Sequence, residues 1–361
     1  MKALLAELRE RLEAVDYDAG LRSALGLAYA MTPPWSQRPL VEAGLEAMPS
    51  DLRTAYRLWL LGETIPRADA EAVLGAEVSD GLCTQGLLHA ENEGVRARAG
   101  LALVAFRGRY LFADDPTARR AVPAKDRVYL GNHSYVLAHY MRQREGEALD
   151  LGTGTGFLAL ACADRARHVI ASDIDARSVE AATLNATMNG LDGQVEVVRS
   201  DLFAGLGDRR FDYICANIPF VPVPPDVDYP VFAAGGPDGL AFAGRIASEI
   251  PDRLAPSGRA QMLALSPTDA AGRRIDRLLE PLVRAGFRCL LQLFDTATVD
   301  ETLGDNIATV ARNLGADTAT TKERWSRHYA ESGFTAFTML LLTIDAPGAS
   351  ARRGELRVIG A

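Results

Sequence analysis

Three aspartates each close an apolar run: Asp150 after GEAL, Asp173 after HVIAS and Asp201 after VEVVRS. A carboxylate at a strand end offers paired oxygen acceptors, which suit the two hydroxyls of a ribose. Asp173 stands 23 residues past Asp150, the spacing at which a nucleotide-binding unit places that acid. A fourth run, FDYICA, ends in Asn217, Ile218, Pro219 and Phe220. The Asn217 side-chain oxygen and the Ile218 backbone carbonyl are two acceptors for N–H bonds. Pro219 stiffens the turn, and Phe220 offers a face on which an amide, guanidine or base can stack. Such a set holds a planar or weakly basic nitrogen by position and carbonyl dipoles rather than by a strong base.

These residues need a scaffold that brings strand ends together. The stretch ALDLGTGTG, followed by FLALACA, reads as strand, tight turn, helix. Gly152, Gly154 and Gly156 alternate, with Thr153 between the first two. Glycine permits the positive φ angles and close backbone approach of such a turn. The dinucleotide spacing G-x-G-x-x-G fails because residue 157 is Phe. A tight turn without a ligand is the bland alternative. Further strands are expected at 168–172, QVEVVRSDLF, FDYICANIPF, GRAQMLALS, FRCLLQLF and FTAFTMLLLTI. Helical stretches between them, such as ARSVEAATLNATMNG with its Asn-Gly stop, predict an α/β fold with a mostly parallel sheet.

The pattern acid-x-G-x-G-x-G resembles motif I of class I S-adenosylmethionine (SAM) methyltransferases. Asn217-Ile218-Pro219-Phe220 resembles the [D/N/S]-P-P-[Y/F] motif of amino-group methyltransferases, whose Ile variant occurs among rRNA adenine enzymes. Residues 233–262, with Gly235, Gly236, Asp238 and Gly239, resemble the HemK-like, "methyltransferase small" superfamily. The resemblance covers roughly residues 130–294. It implies a Rossmann-like seven-stranded mixed sheet, SAM as cofactor and S-adenosylhomocysteine as product. By the same resemblance Asp150, Gly152, Thr153, Gly154 and Gly156 face the methionine part, and Asp173 with Ile174 takes the ribose, Asp175 capping the next helix. Asp201 accepts from the adenine amino group, and Leu202 packs on the ring. Tyr129, Asn132, His133 and Ser134 belong to a segment that closes over the cofactor. Asn217 touches the cofactor side, and Asn217, Ile218, Pro219 and Phe220 are catalytic: they turn the nitrogen lone pair toward the methyl group. The glutamine enzymes carry Pro-Pro-Tyr where this chain has Ile-Pro-Phe, which counts against a release-factor substrate.

The rest of the chain divides into an N-terminal domain over 1–125, the methyltransferase domain over 126–347 and a loosely held tail over 348–361. Leu4, Leu5, Leu8, Leu12 and Val15 share one helical face. Helices are expected over 19–30, 37–47 and 51–61, the last capped by Ser50 or Asp51. A second pair of helices follows, the later one running through Cys83, Gln85, Leu87, Leu88 and His89, and then strands in VRARAGLALVAFRGRYLFADD. Helix, helix and hairpin resemble a winged helix. The presumed recognition helix lacks Lys and Arg, which argues for substrate covering or dimerisation over nucleic-acid reading. Arg96, Arg98, Arg107 and Arg109 read as a solvated face of the strands. Residues 114–127 read as a linker.

Two further segments bear on the acceptor. The loop VPVPPDVDYPVF places Asp226, Asp228, Tyr229 and Phe232 as candidate pocket residues, with the acids favouring a cationic substrate. An insertion over 295–333 reads as a helical lid, with Trp325, His328 and Tyr329 as substrate contacts or as residues docking the insertion. A net charge of −8 argues against a large nucleic-acid footprint. The expectation is therefore N-methylation of a small molecule, such as an amino acid or natural-product precursor. RNA, DNA or a protein glutamine is the alternative acceptor; a vestigial regulator is the non-enzyme reading. A homodimer is admitted. Cys83, Cys162, Cys215 and Cys289 read as reduced thiols, and the five histidines show no metal-ligand spacing. No apolar run approaches a membrane span, and a cytoplasmic location is expected.

Overall fold

The computed structural model describes residues 1–25, 44–114, 127, 128, 130–314, 317–349 and 354–360. The expected helix segments over 26–43, nearly all of the linker, and Tyr129 lie outside these. The chain forms two compact units. The first comprises Met1–Leu130, Gly154–Leu160 and Arg177–Gly193, and the second the remainder.

In the first unit, the helix Lys2–Ala14 buries Leu5, Leu8 and Leu12 on one stripe, as their spacing requires. The helix Ser50–Trp59 has Pro49 at its N-cap, and neither Ser50 nor Asp51 caps it. Strand β1 (Ile65–Pro66), the helices Arg67–Leu74 and Ala76–Thr84, and strands β2 (Leu88–Glu91) and β3 (Gly94–Ala97) follow. The sheet order β1-β3-β2 completes a winged-helix arrangement. The wing begins earlier than expected: Leu88 and His89 lie on β2, not on the helix. Gly86, with φ +68, ends that helix by a turn in the left-handed region. A separate hairpin pairs β4 (Leu101–Phe106) with β5 (Arg109–Asp114). Arg98 and Arg107 sit outside the strands, and Arg107 stacks over Phe106 at 4.9 Å.

The hairpin is tied to the helix Ala176–Met188 and its end by two side-chain amides. Asn185 Oδ1 accepts from Phe112 N at 2.8 Å, while its Nδ2 donates to Phe112 O at 2.9 Å. Asn189 does the same for Tyr110, at 2.9 and 2.7 Å. Asn185 Nδ2 also donates to Thr155 O at 2.8 Å. Asn185 is fully buried, so Asn185→Ala strands several main-chain groups without partners. A loss of about 3 kcal/mol is expected in urea unfolding.

The second unit is built on a sheet of order β14-β12-β13-β10-β9-β6-β7-β8 among the described residues, with β11 paired to β10. The strands are β6 (Gly146–Leu151), β7 (Ala166–Asp173), β8 (Val195–Arg199), β9 (Phe211–Ala216), β10 (Leu254–Asp269), β11 (Gly272–Arg273), β12 (Arg288–Thr298), β13 (Ala336–Asp345) and β14 (Leu356–Ile359). The five strands from β8 to β10 are parallel, and β13 runs antiparallel between β10 and β12. The central parallel strands β6 and β9 are short and largely buried, as strands covered on both faces require. The helices Ala241–Arg253 and Arg274–Arg284 contribute Ile246, Ile250, Ile275, Leu279 and Leu282 to the core.

The end of the chain departs from expectation. Residues of the tail, expected to be loosely held, form β14 and pair in parallel with Cys289–Gln292 of β12. The edge of β12 offers unpaired N–H and C=O groups, and the tail satisfies them. The sheet thus exceeds the expected seven strands.

The insertion forms the helices Val299–Leu314 and Thr318–Glu331. Trp325 and Tyr329 are fully buried, in a cluster with Val223, Leu303, Phe334 and Phe337. Trp325 Nε1 and Tyr329 Oη both donate to Pro222 O, at 2.9 and 3.0 Å. Of the two roles open to these aromatics, docking is the one the contacts display. Trp325→Ala removes the largest side chain of this cluster and one hydrogen bond, and about 4 kcal/mol should be lost in chemical denaturation.

Candidate active site

The site residues gather at the carboxyl ends of β6, β7, β8 and β9. Asp150, Asp173, Asp201 and Asn217 stand at or just after these ends. In a parallel α/β sheet this is where the strands open onto a crevice.

Asp150 lies beneath the turn rather than on it. Its side chain is fully buried, and Oδ2 accepts from Thr153 Oγ1 at 2.6 Å. Cys215 Sγ lies 3.6 Å from Oδ1 and 3.7 Å from Cys162 Sγ. The two thiols, far apart in sequence, meet in the core, and burial pushes the Cys215 thiol well up. Asp150 therefore shapes the turn through Thr153. Gly152, Gly154 and Gly156 all have positive φ, at 66°, 53° and 82°. Gly156 is the most constrained, since a Cβ there would come within 3.2 Å of Ala182. No other residue type meets both conditions without strain.

At the end of β7, Asp173 Oδ1 accepts from Asp175 N at 3.0 Å. Its neighbour Ile174 is 58% exposed, a large apolar side chain left in solvent beside a carboxylate. That pairing fits a ribose with an adenine covering the isoleucine. At the end of β8, Asp201 Oδ2 accepts from Arg245 Nη2 at 2.9 Å, so one of its oxygens is taken by a partner the sequence did not suggest. Leu202 holds φ +49 and is buried, a strained conformation of the sort found at ligand sites.

The tetrapeptide after β9 is built most closely. Asn217 Nδ2 donates to Ser134 Oγ at 2.9 Å. Asn217 Oδ1 is buried and accepts no hydrogen bond among the described residues. A buried acceptor left open costs about 1–3 kcal/mol, and folds keep one where it is used. Ile218 is 3% exposed and belongs to the core. Its Cγ2 would lie 3.5 Å from a Cβ on Gly152, so the side chain supports the glycine turn. Phe220 meets His133 edge to face, with ring centroids 5.0 Å apart. Desolvation lowers the His133 imidazole below its ordinary value, which keeps the ring neutral at pH 7. His133, expected at the cofactor, is thus seen against Phe220, and Ser134 against Asn217.

The glycine-rich segment gains a physical role here. A Cβ on Gly235 would meet Phe220 Cα at 2.6 Å, and one on Gly239 would meet Phe220 O at 2.4 Å. This loop lies directly on the Phe220 backbone. The spacing of these glycines resembles a family pattern but carries no signal for what they touch.

The loop that follows is held from outside. Val221 N donates to Ala233 O, and Gly235 N to Val221 O. Arg324 pairs with Asp226, donating to its main-chain oxygen at 3.0 Å, with Asp226 Oδ2 3.8 Å from Nε. Tyr229 stands edge-on to Trp325, and His328 Nε2 lies 2.7 Å from Pro237 O. Phe232 is partly exposed beside Val231, which is 68% exposed. No helix among the described residues is long and apolar enough to cross a membrane.

Comparison with known proteins places this geometry. The methyltransferase small domain matches residues 119–262, and a domain of unknown function, DUF7059, matches residues 5–98. A candidate protein N5-glutamine methyltransferase of Methanocaldococcus jannaschii is 32% identical over 151 residues, which cover 40% of this chain and 72% of that protein. The ribosomal protein uL3 glutamine methyltransferase of Bradyrhizobium diazoefficiens is 39% identical over 120 residues, covering 30% of this chain and 38% of that one. The release factor glutamine methyltransferase of Agrobacterium fabrum is 41% identical over 111 residues, covering 27% and 38%. The matched stretch thus spans well under half the length of two of these three relatives.

Proposed function

Because this chain belongs to the class I SAM-dependent methyltransferases of the HemK-like, methyltransferase small type, we propose that it methylates the side-chain amide nitrogen of a glutamine presented by a protein. The observation that carries this reading is the open acceptor on Asn217 at the end of β9. An amide nitrogen is a poor nucleophile because its lone pair is delocalised into the carbonyl. Asn217 Oδ1 and the Ile218 main-chain oxygen would accept its two N–H bonds. Phe220 would lie against the flat amide. The nitrogen is then turned out of conjugation by position. When bound, SAM would be held by the glycine turn, Asp173 and Ile174 and would supply an electrophilic methyl group. Transfer forms one N–C bond, breaks one S–C bond and releases an amide proton to water.

Three features support a protein glutamine over the small cationic acceptor. The relatives named above act, by name, on protein glutamines. The Ile-for-Pro difference falls on a side chain buried in the core, so it does not alter the acceptor face. Of the two acids that suggested a cationic substrate, Asp226 and Asp228, the first faces Arg324, and Trp325 and Tyr329 dock the insertion.

The test is transfer of a radiolabelled methyl group to a panel of glutamine-bearing peptides and folded ribosomal and translation-factor proteins. Free amino acids, amines and RNA run in parallel. N5-methylglutamine recovered after digestion supports the reading. Label confined to amines, guanidines or RNA sinks it.

A further inference from the structure

We propose that Arg274 is a positioning residue for the transfer step: it holds the glycine-rich segment against Phe220 and ties that segment to the insertion. The inference rests on the methyltransferase reading of the same site, whatever the acceptor. A guanidinium only donates, through a rigid planar fork, so each of its contacts has a fixed direction. Arg274 is the first residue of the helix Arg274–Arg284. A cation at that end opposes the helix dipole, so helix stability does not account for it.

Its three nitrogens face three partners that only accept. Nε donates to Asp269 Oδ2, at the end of β10, at 3.1 Å. Nη2 donates to Ser332 O, just past the helix Thr318–Glu331, at 3.3 Å. Nη1 stands 3.5 Å from Asp238 Oδ2 in the glycine-rich segment. The guanidinium carbon lies over the Phe334 ring, 4.7 Å from its centroid, and Phe334 belongs to the cluster of Trp325 and Tyr329. The other Asp238 oxygen accepts from Leu240 N at 3.0 Å. His328 Nε2 is 2.7 Å from Pro237 O; a carbonyl only accepts, so this nitrogen carries the ring proton. Two donors therefore hold the tip Pro237–Asp238 from outside. On the inner side, Gly235 leaves no room for a Cβ beside Phe220 Cα. The segment is the wall behind Phe220, and Arg274 joins that wall to β10 and to the insertion at once. A single exposed ion pair would fix little; four contacts around one planar group define where it sits.

The consequence separates chemistry from cofactor binding. Arg274→Ala should lower kcat about tenfold at saturating substrates, with S-adenosylhomocysteine affinity within twofold of wild type. The rate is counted per S-adenosylhomocysteine-binding site, so unfolded protein does not enter it, and it is read on whichever acceptor class the wild type labels. Arg274→Lys keeps the charge but offers one ammonium to three partners, and should recover little of the rate. Arg277→Ala is the control: Arg277 shares Asp269, at 2.7 Å, without joining it to the glycine-rich segment, and kcat should stay within twofold. Adding Asp238→Asn to Arg274→Ala should cost little more than Arg274→Ala alone. A kcat of Arg274→Ala within threefold of wild type overturns the proposal, as does full recovery in Arg274→Lys. A parallel loss of S-adenosylhomocysteine affinity also overturns it, since Arg274 would then be acting on the cofactor.

Hydrogen exchange gives a readout independent of any acceptor. Gly239 N donates to Gly236 O, and Ala241 N to Gly235 O. In Arg274→Ala these amides should exchange at least tenfold faster, while those of β9 keep their wild-type rates. An unchanged rate in the segment overturns the proposal, and a rise that includes β9 marks a merely structural role and overturns it too. If the wild type labels amines or RNA instead of glutamine, and Arg274→Ala lowers that rate as expected, the glutamine reading fails and the positioning role stands.

Discussion

Asn217→Ala should leave S-adenosylhomocysteine binding nearly unchanged and lower kcat by about 100-fold or more. The substitution deletes the acceptor that Oδ1 provides, and with it the grip on one N–H of the acceptor nitrogen. It also frees Ser134 from the bond at 2.9 Å. Because the missing contact matters most as charge grows on the nitrogen, the loss should appear in kcat and kcat/KM together, not in KM alone. The fold should survive. Asn217 follows β9 rather than lying within it, and the core beneath is carried by Ile214, Ala216 and Ile218. Circular dichroism and unfolding of the same variant check this. A variant that folds, binds S-adenosylhomocysteine and keeps more than half of wild-type kcat would remove Asn217 from the reaction.

Asp173→Ala should raise the dissociation constant for S-adenosylhomocysteine by about 100-fold in calorimetric titration. A charge-assisted pair of hydrogen bonds to a diol contributes on the order of 3 kcal/mol. The effect belongs to ligand binding because Asp173 stands at the end of β7, where its main chain already pairs with β8. Its side chain also accepts from Asp175 N, so a modest loosening of that turn accompanies the loss. Asp173→Asn serves as the control. It keeps one acceptor and should recover part of the affinity. The exposed Ile174 beside it gives a second, smaller reading: Ile174→Asp should weaken binding by removing apolar surface that an adenine ring would cover. If wild type bound S-adenosylhomocysteine and Asp173→Ala bound it equally well, the ribose would have to sit elsewhere.

The strengths of these predictions differ for a physical reason. The carboxylate of Asp173 and the amide of Asn217 would each act on a ligand through a few hydrogen bonds. Asp150 is different. Its oxygens are engaged by Thr153 and flanked by Cys215, so its replacement would disturb the turn as a whole and mix folding with binding. Asp201 is also less informative, because Arg245 already holds one oxygen.

The sequence by itself determined the parts that depend on near neighbours. The succession of strand, glycine turn and helix at 148–162 was legible because apolar runs, alternate glycines and an acid all fall within a dozen positions. The acids after β7 and β8 and the Asn-x-Pro-Phe segment after β9 were legible for the same reason: each marks a strand end by local composition. The winged helix was legible in outline, but β2 was not, because Leu88 and His89 continue an apolar pattern that only the turn at Gly86 interrupts. What only the tertiary structure decided are the contacts across long stretches of chain. Ser134 meets Asn217, Gly235 and Gly239 lie on Phe220, Trp325 closes on Pro222, and residues 356–359 extend the sheet edge. No local window carries these pairings. They follow from which surfaces must be buried and which polar groups must be paired once the sheet has formed, and that accounting closes only in three dimensions.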